Sequence, residues 1–133
     1  MYWASGSEDL AAISRSLAAA GVLDFRGMVG VNRAAWMGSW VFTRSHPVFE
    51  SLPVNNATAS HYQIGTPGCD GAMVHGPAVE IIAGYGRDHD RNYGAAVYHL
   101  RAGKGRLLVC LLPQIHPVVR QRVLQNSIGY LMT

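Results

Sequence analysis

Two apolar runs, residues 93–100 and 106–112, are joined by Ala102-Gly103-Lys104-Gly105, and this arrangement constrains the fold more than any other feature of the chain. Runs of β-forming residues separated by so short a glycine turn read as an antiparallel hairpin, because a tight reversal needs backbone angles that glycine adopts at little cost. A third run, 79–85, precedes them and reads as a buried strand, with the polar stretch 86–92 as its connecting loop. After Arg106, the 106–112 run is apolar throughout, as expected of a central strand covered on both faces. Pro113 ends it.

Helices are expected on either side of this sheet in sequence. Leu10, Ile13 and Leu17 recur at spacings of three and four, which predicts a helix over 7–20. Ser5 and Glu8 have capping-box spacing ahead of it, and Gly21 is a natural residue to stop it. Pro117 sits where the first residue of a helix tolerates proline, so a second helix is expected from there to about 131, with Val119, Val123 and Ile128 facing inward. The middle of the chain is harder to read. Residues 25–31 are expected to be extended, 36–42 a strand or bulged strand, and 58–64 a further strand. His46-Pro47 starts a turn, and 66–71 (T-P-G-C-D-G) form a loop. No internal repeat or low-complexity segment is present.

At 133 residues the chain has room for one domain and one core. Hydrophobic residues at 49% make it globular, and charged residues at only 14% suggest a surface partly covered by another chain or domain. The net charge of +3 is scattered, with no basic run, so nucleic acid is not an expected partner. The longest apolar stretches, 79–83 and 107–112, are far shorter than a membrane span of about 20 residues. With no secretory leader pattern in the first residues, the expected location is cytoplasmic and reducing, unless the chain is part of a larger secreted enzyme. Cys69 and Cys110 do not make a disulfide framework; Cys110 lies in an apolar strand as packing, and Cys69 in a glycine-rich turn.

Several stretches resemble one known domain. They are Ser45-His46-Pro47-Val48-Phe49 with Leu52-Pro53-Val54-Asn55 and His61-Tyr62-Gln63; 79–85 running into Arg87-Asp88-His89-Asp90-Arg91; Gly103-Lys104-Gly105 before a strand; and Ile115-His116-Pro117 before a helix carrying Asn126. Together they cover most of the chain after Trp36. They resemble the class I glutamine amidotransferase-like accessory domain of family 2 glycoside hydrolases of the β-galactosidase type. The resemblance implies an α/β fold: a partial amidotransferase-like, flavodoxin-like sheet with flanking helices, incomplete on its N-terminal side relative to the family. Gln114-Ile115-His116-Pro117 matches the Q-x-H-P-E signature of the wider class except that Val118 replaces the glutamate. The nucleophile elbow would fall at Trp3-Ala4-Ser5-Gly6, where Ser5 replaces the cysteine. Amidotransferase activity is therefore not expected. The (β/α)₈ catalytic barrel of the hydrolases, which needs roughly 200 residues or more, has no room in this chain.

The densest polar cluster is Arg87-Asp88-His89-Asp90-Arg91, at the expected end of a buried strand, where open α/β sheets place ligands. Asp88 and Asp90 are candidates to hold sugar hydroxyls or a cation, His89 a general base, and Arg87 and Arg91 ligand-binding residues; the alternative is a loop in which the arginines neutralise the aspartates. A glycosidase needs two carboxyls about 5 Å apart for retention or roughly 6.5–9.5 Å for inversion. Glu80 stands inside an apolar strand, the setting of a proton donor, and Glu80 with Asp88 or Asp90 is the candidate catalytic pair. His116 is a further ligand-binding candidate, although histidines before proline, such as His46 and His116, more often bond local backbone. No metal-ligand spacing appears among the histidines, and no cofactor is expected. Trp3, Trp36, Trp40, Tyr62 and Tyr85 are candidates to stack on a sugar or to fill the core. The leading expectation is a non-catalytic accessory or homo-oligomerisation module related to glycoside hydrolases. The alternatives are a small glycosidase using paired carboxylates and a carbohydrate-binding module.

Overall fold

The computed structural model describes residues 1–30, 39–54, 62, 64, 70–87, 92–113 and 115–133, with the side chains of Ser39, Trp40, Arg87 and Asn92 left out. Among these residues it has the expected mixed α/β composition: seven strands in one sheet and two long helices. In chain order these are β1 (Tyr2–Trp3), α1 (Ser7–Ala19), β2 (Asp24–Val29), β3 (Ser39–Thr43), a 3₁₀ turn (Pro47–Phe49), β4 (Gly71–His75), β5 (Val79–Arg87), β6 (Asn92–Ala102), β7 (Gly105–Cys110) and α2 (Pro117–Met132).

The sheet is built around β6. On one edge β6 pairs antiparallel with β5 from Val79↔Leu100 to Arg87↔Asn92, and β3 continues the sheet beyond β5. On the other edge it pairs with β7, and the two-residue connection Gly103-Lys104, with Gly103 at φ 58°, closes the hairpin that the sequence predicts. Ala95 of β6 also meets Ala72 of β4, which leads on to β2. β1 lies parallel against β7, aligning Tyr2 with Val109 and Trp3 with Cys110. It is the one parallel pair in a sheet that is otherwise antiparallel among the described residues.

Alternation along the strands sorts the core into two layers, since successive side chains leave a strand on opposite faces. Val97, Leu108 and Ile82 pack with Val123, Val119 and Tyr130 of α2 and with Val48 and Phe49 of the 3₁₀ turn. Tyr98, Val109 and Leu100 pack with Leu10, Ile13 and Leu17 of α1. Among the described residues, one long helix therefore covers each face of the sheet. Backbones cross closely at Gly94: a Cβ on Gly71 would sit 2.4 Å from the Gly94 carbonyl carbon, and one on Gly84 2.2 Å from its oxygen. No other residue type fits this crossing.

Five local expectations need correction. Ser5 and Glu8 form no capping box: Gly6 is the N-cap of α1 without a side-chain bond, and the Asp9 carboxylate instead accepts from Ser5 N–H at 2.8 Å and from the Tyr2 hydroxyl. A carboxylate there also complements the positive end of the helix. Ile128 faces outward. Residues 71–75, not anticipated as a strand, form β4 and supply half of the glycine crossing. The 86–92 loop is shorter than expected, because Gly86 and Arg87 still belong to β5 and Asn92 already to β6. The strand expected over 58–64 falls mostly outside the described residues, and the two described ones do not bear it out: Tyr62 is helical and Ile64 lies in a turn, both buried in the core.

Candidate functional site

A polar cluster stands on the α2 face of the sheet, near the β6–β7 hairpin. Register brings it together. Glu80 of β5 lies directly opposite His99 of β6, and Arg106 of β7 lies diagonal to His99 because Leu108 is the residue opposite it. Parity puts Glu80, His99 and Arg106 on one face, with Ile82, Val97 and Leu108. Tyr130 of α2 comes down on His99 and Arg106, and His46, the N-cap of the 3₁₀ turn, approaches from the side.

The distances are consistent. His46 Nε2 is 3.8 Å and His99 Nδ1 3.9 Å from the same oxygen, Glu80 Oε2. The Tyr130 ring meets His46 at 4.6 Å and His99 at 5.2 Å, both edge to face, and the Arg106 guanidinium stacks over it at 4.4 Å. Arg106 Nε–H donates to His99 Nε2 at 3.4 Å, while the Tyr130 hydroxyl lies 3.4 Å from His99 Nδ1. Arg44, following β3, reaches the Ile81 carbonyl at 3.2 Å.

These partners fix both tautomers. Val48 N–H donates to His46 Nδ1 at 3.2 Å, so the neutral ring carries its hydrogen on Nε2, toward Glu80. Arg106 occupies the lone pair on His99 Nε2, so that ring carries its hydrogen on Nδ1, toward Tyr130 and Glu80. Side-chain exposure is 8% for His46 and 4% for His99, against 41% for Glu80. Burial holds both imidazoles below the ordinary histidine range. Glu80 opposes this in both; Arg44 and Arg106 reinforce it at His46, and Arg106, Arg101 and His46 at His99. The cluster is thus two neutral rings directing N–H groups at one half-exposed carboxylate.

The residues singled out in the sequence are distributed differently. Glu80 is in this cluster, half exposed although the run around it is apolar. It is the second residue of β5 and Arg87 the last, which separates them by roughly 23 Å of strand. Asp88, His89, Asp90 and Arg91 lie outside the described residues, as does the side chain of Arg87. His116 is the N-cap of α2, its Nδ1 accepting from Val118 N–H at 3.2 Å, the local bonding expected of a histidine before proline. Ser5 bonds to Asp9. Cys110 is fully buried, and burial pushes its thiol up, away from the reactive thiolate. Tyr62 and Tyr85 are core residues: Tyr62 donates to the Pro53 carbonyl at 2.7 Å, and the Tyr85 hydroxyl accepts from Gly71 N–H at 2.9 Å. Trp3 stacks with Arg120 at 4.7 Å. Trp36 and the Trp40 side chain lie outside the described residues.

His46, His99, Arg106 and Tyr130 were not legible as a group. The two-residue hairpin gives the β6–β7 register and so relates His99 to Arg106. Nothing in the sequence gives the β5–β6 register across the 88–91 connection, or the position of Tyr130 over the sheet. Among the described residues no group of three histidine, cysteine, aspartate or glutamate side chains is arranged to hold a metal ion, and no helix is long and apolar enough to cross a membrane.

The other notable surface is the outward side of α2. Val118, Ile128 and Met132 are 68%, 55% and 83% exposed. Alternating steps of three and four join Val118, Gln121, Gln125, Ile128 and Met132 into one stripe without a charge. Fold and site together define, among the described residues, a mixed α/β domain with one long helix on each face of its sheet, a half-buried polar cluster beneath α2 and an uncharged stripe on its outside. No protein-family model, curated protein or solved structure matches the chain.

Proposed function

We propose that the chain is a non-catalytic accessory or oligomerisation module related to the family 2 glycoside hydrolases, and that its working surface is the outward stripe of α2, covered by a second copy of the chain. The observation that carries this reading is the exposure of Val118, Ile128 and Met132 along that stripe. Its pattern suits self-association. Two antiparallel copies crossing at Gln125 set Val118 of one against Met132 of the other, and Gln121 against Gly129, where the missing side chain allows close approach. Charges also match. Exposed Arg122 and exposed Glu50 flank the same side of the stripe, Glu50 bordering a cleft of about 360 Å³ with Gln125 and Gly129, and Arg122 lies before Gln125 while the cleft extends past it. A two-fold axis through Gln125 brings the arginine of each copy toward the glutamate of the other.

The family's catalytic positions support a role without chemistry. Ser5 is bonded to Asp9, His116 Nδ1 is committed to the helix cap, and Val118 stands where the signature has its glutamate. The reading is tested by sedimentation equilibrium, with nitrophenyl glycoside turnover assayed on the same sample. A dimer is expected, and Ile128→Glu with Met132→Glu is expected to weaken it at least thirtyfold, the effect of losing a hot spot of about 2 kcal/mol. A wild-type chain that stays monomeric at tens of micromolar overturns the self-association (concentration on the order of a routine sample). Turnover lost on Glu80→Gln overturns the non-catalytic role and supports the small-glycosidase reading instead.

A further inference from the structure

We infer that His46 and His99 form an acid-sensitive clasp that holds the second half of α2 and the Pro47–Phe49 turn onto the sheet at neutral pH and releases them on mild acidification. The inference does not depend on the oligomerisation reading.

The geometry makes protonation disruptive at both rings. In each imidazole the one nitrogen able to take a proton already faces a donor. For His46 it is Nδ1, which accepts from Val48 N–H; for His99 it is Nε2, which accepts from Arg106 Nε–H. A proton at either place removes a hydrogen bond and sets N–H against N–H, at His99 also cation against cation. Neither ring can turn to avoid this, because both are buried and wedged against Tyr130. The attached elements follow. His46 is the N-cap of the 3₁₀ turn, and Asn126 of α2 donates to the Val48 and Glu50 carbonyls at 3.2 and 3.0 Å, so loss of the cap loosens the contact of that turn with the helix. Tyr130 is four residues further along α2 and meets both rings.

The charged and titratable neighbours do not reverse the sign. Arg44 after β3, Arg101 on β6, Arg106 on β7 and each ring for the other all disfavour a second positive charge. Tyr130 on α2 presents its ring to both imidazoles. Glu80 on β5 is the one opposing group, and it is half exposed and 3.8–3.9 Å away. Unfolded or released, both rings titrate near 6.5, and in the closed structure they titrate lower. Between those values the open form binds more protons, so the clasp is fully stable above about pH 6.5 and weakens as pH falls.

The test is amide hydrogen exchange at pH 7.5 and 5.0, read as protection factors, alongside an NMR titration of the histidine rings. Once the rings begin to titrate, protection in the Pro47–Phe49 turn and the second half of α2 is expected to fall about tenfold per pH unit for each ring, while α1 keeps its protection. The variant His46→Asn with His99→Gln retains an acceptor at each place and has nothing to protonate, so its α2 protection is expected to be the same at both pH values. Equal loss of protection in α1 and α2 overturns the inference, as does an unchanged loss in the double variant. If that variant fails to fold, the wild-type titration decides: rings titrating at or above 6.5 overturn the clasp, and rings titrating below it support the clasp.

Discussion

On the α1 side of the sheet, a fully buried polar contact with the helix is the pair Ser14 and Tyr98, which share a 2.9 Å hydrogen bond within a layer formed by Leu10, Leu23, Val74, Leu100, Val109 and Leu111. On the α2 side, the helix closes over a carboxylate, two imidazoles and a guanidinium through Tyr130. Both helices are of ordinary length and both lie on the same β6–β7 hairpin. They differ in what fastens them. Apolar burial under α1 is insensitive to pH and tolerates only changes that leave no cavity. The polar contacts under α2 depend on each group keeping one protonation state, so that helix is held conditionally.

The largest effect should come from the dry side. Leu10 has no solvent exposure, and Leu10→Ala is expected to cost about 2–5 kcal/mol by the methylenes removed and the cavity left behind. Urea unfolding at pH 7.5 and 5.0 checks it, and the cost should be equal at both; a cost that changes with pH would break the contrast between the two faces. Next, Tyr98→Phe leaves the Ser14 hydroxyl buried without its partner, for about 1–3 kcal/mol. Burial pushes the Tyr98 hydroxyl up to about 12, despite the opposing bond from Ser14, so this loss too should be flat from pH 5 to 8 in the same measurement. The smallest effect is expected on the α2 side. Asn126→Ala removes the bonds to the Val48 and Glu50 carbonyls, for about 1 kcal/mol given their partial exposure, and should sharpen the difference by raising hydrogen exchange in the 3₁₀ turn while leaving α1 unchanged.

The legible parts were those governed by neighbours in sequence. Gly103-Lys104 announces the hairpin, Pro117 the start of α2, and the Leu10–Ile13–Leu17 spacing the inner face of α1, because each depends on backbone angles or on a period within one element. His46 and His116 were legible for the same reason: a histidine before proline can reach the N–H two residues on, and both do. Ile128 was misplaced because α2 carries hydrophobic residues on both sides, so its period alone cannot tell a buried face from an exposed one. β4 was missed because Gly71-Ala72-Met73-Val74-His75 has little β-branched content; what makes it a strand is pairing with β2 and the glycine crossing at Gly94.

The candidate site shows the same limit more sharply. Glu80 could be singled out from the sequence because a carboxylate in an apolar run is conspicuous wherever the strand lies. Its actual neighbours could not, since His46, His99, Arg106 and Tyr130 are separated from it by 19 to 50 positions and meet it through strand register and helix docking. By itself the sequence determined the α/β class, the hairpin, the two helices and the low surface charge, all consequences of local conformational preference and composition. The tertiary structure alone decided that Glu80 faces two histidines, that Tyr62 and Tyr85 belong to the core, and that α2 turns Val118, Ile128 and Met132 outward. Those outcomes depend on which surfaces meet, and the free energy of burial is settled only when they do.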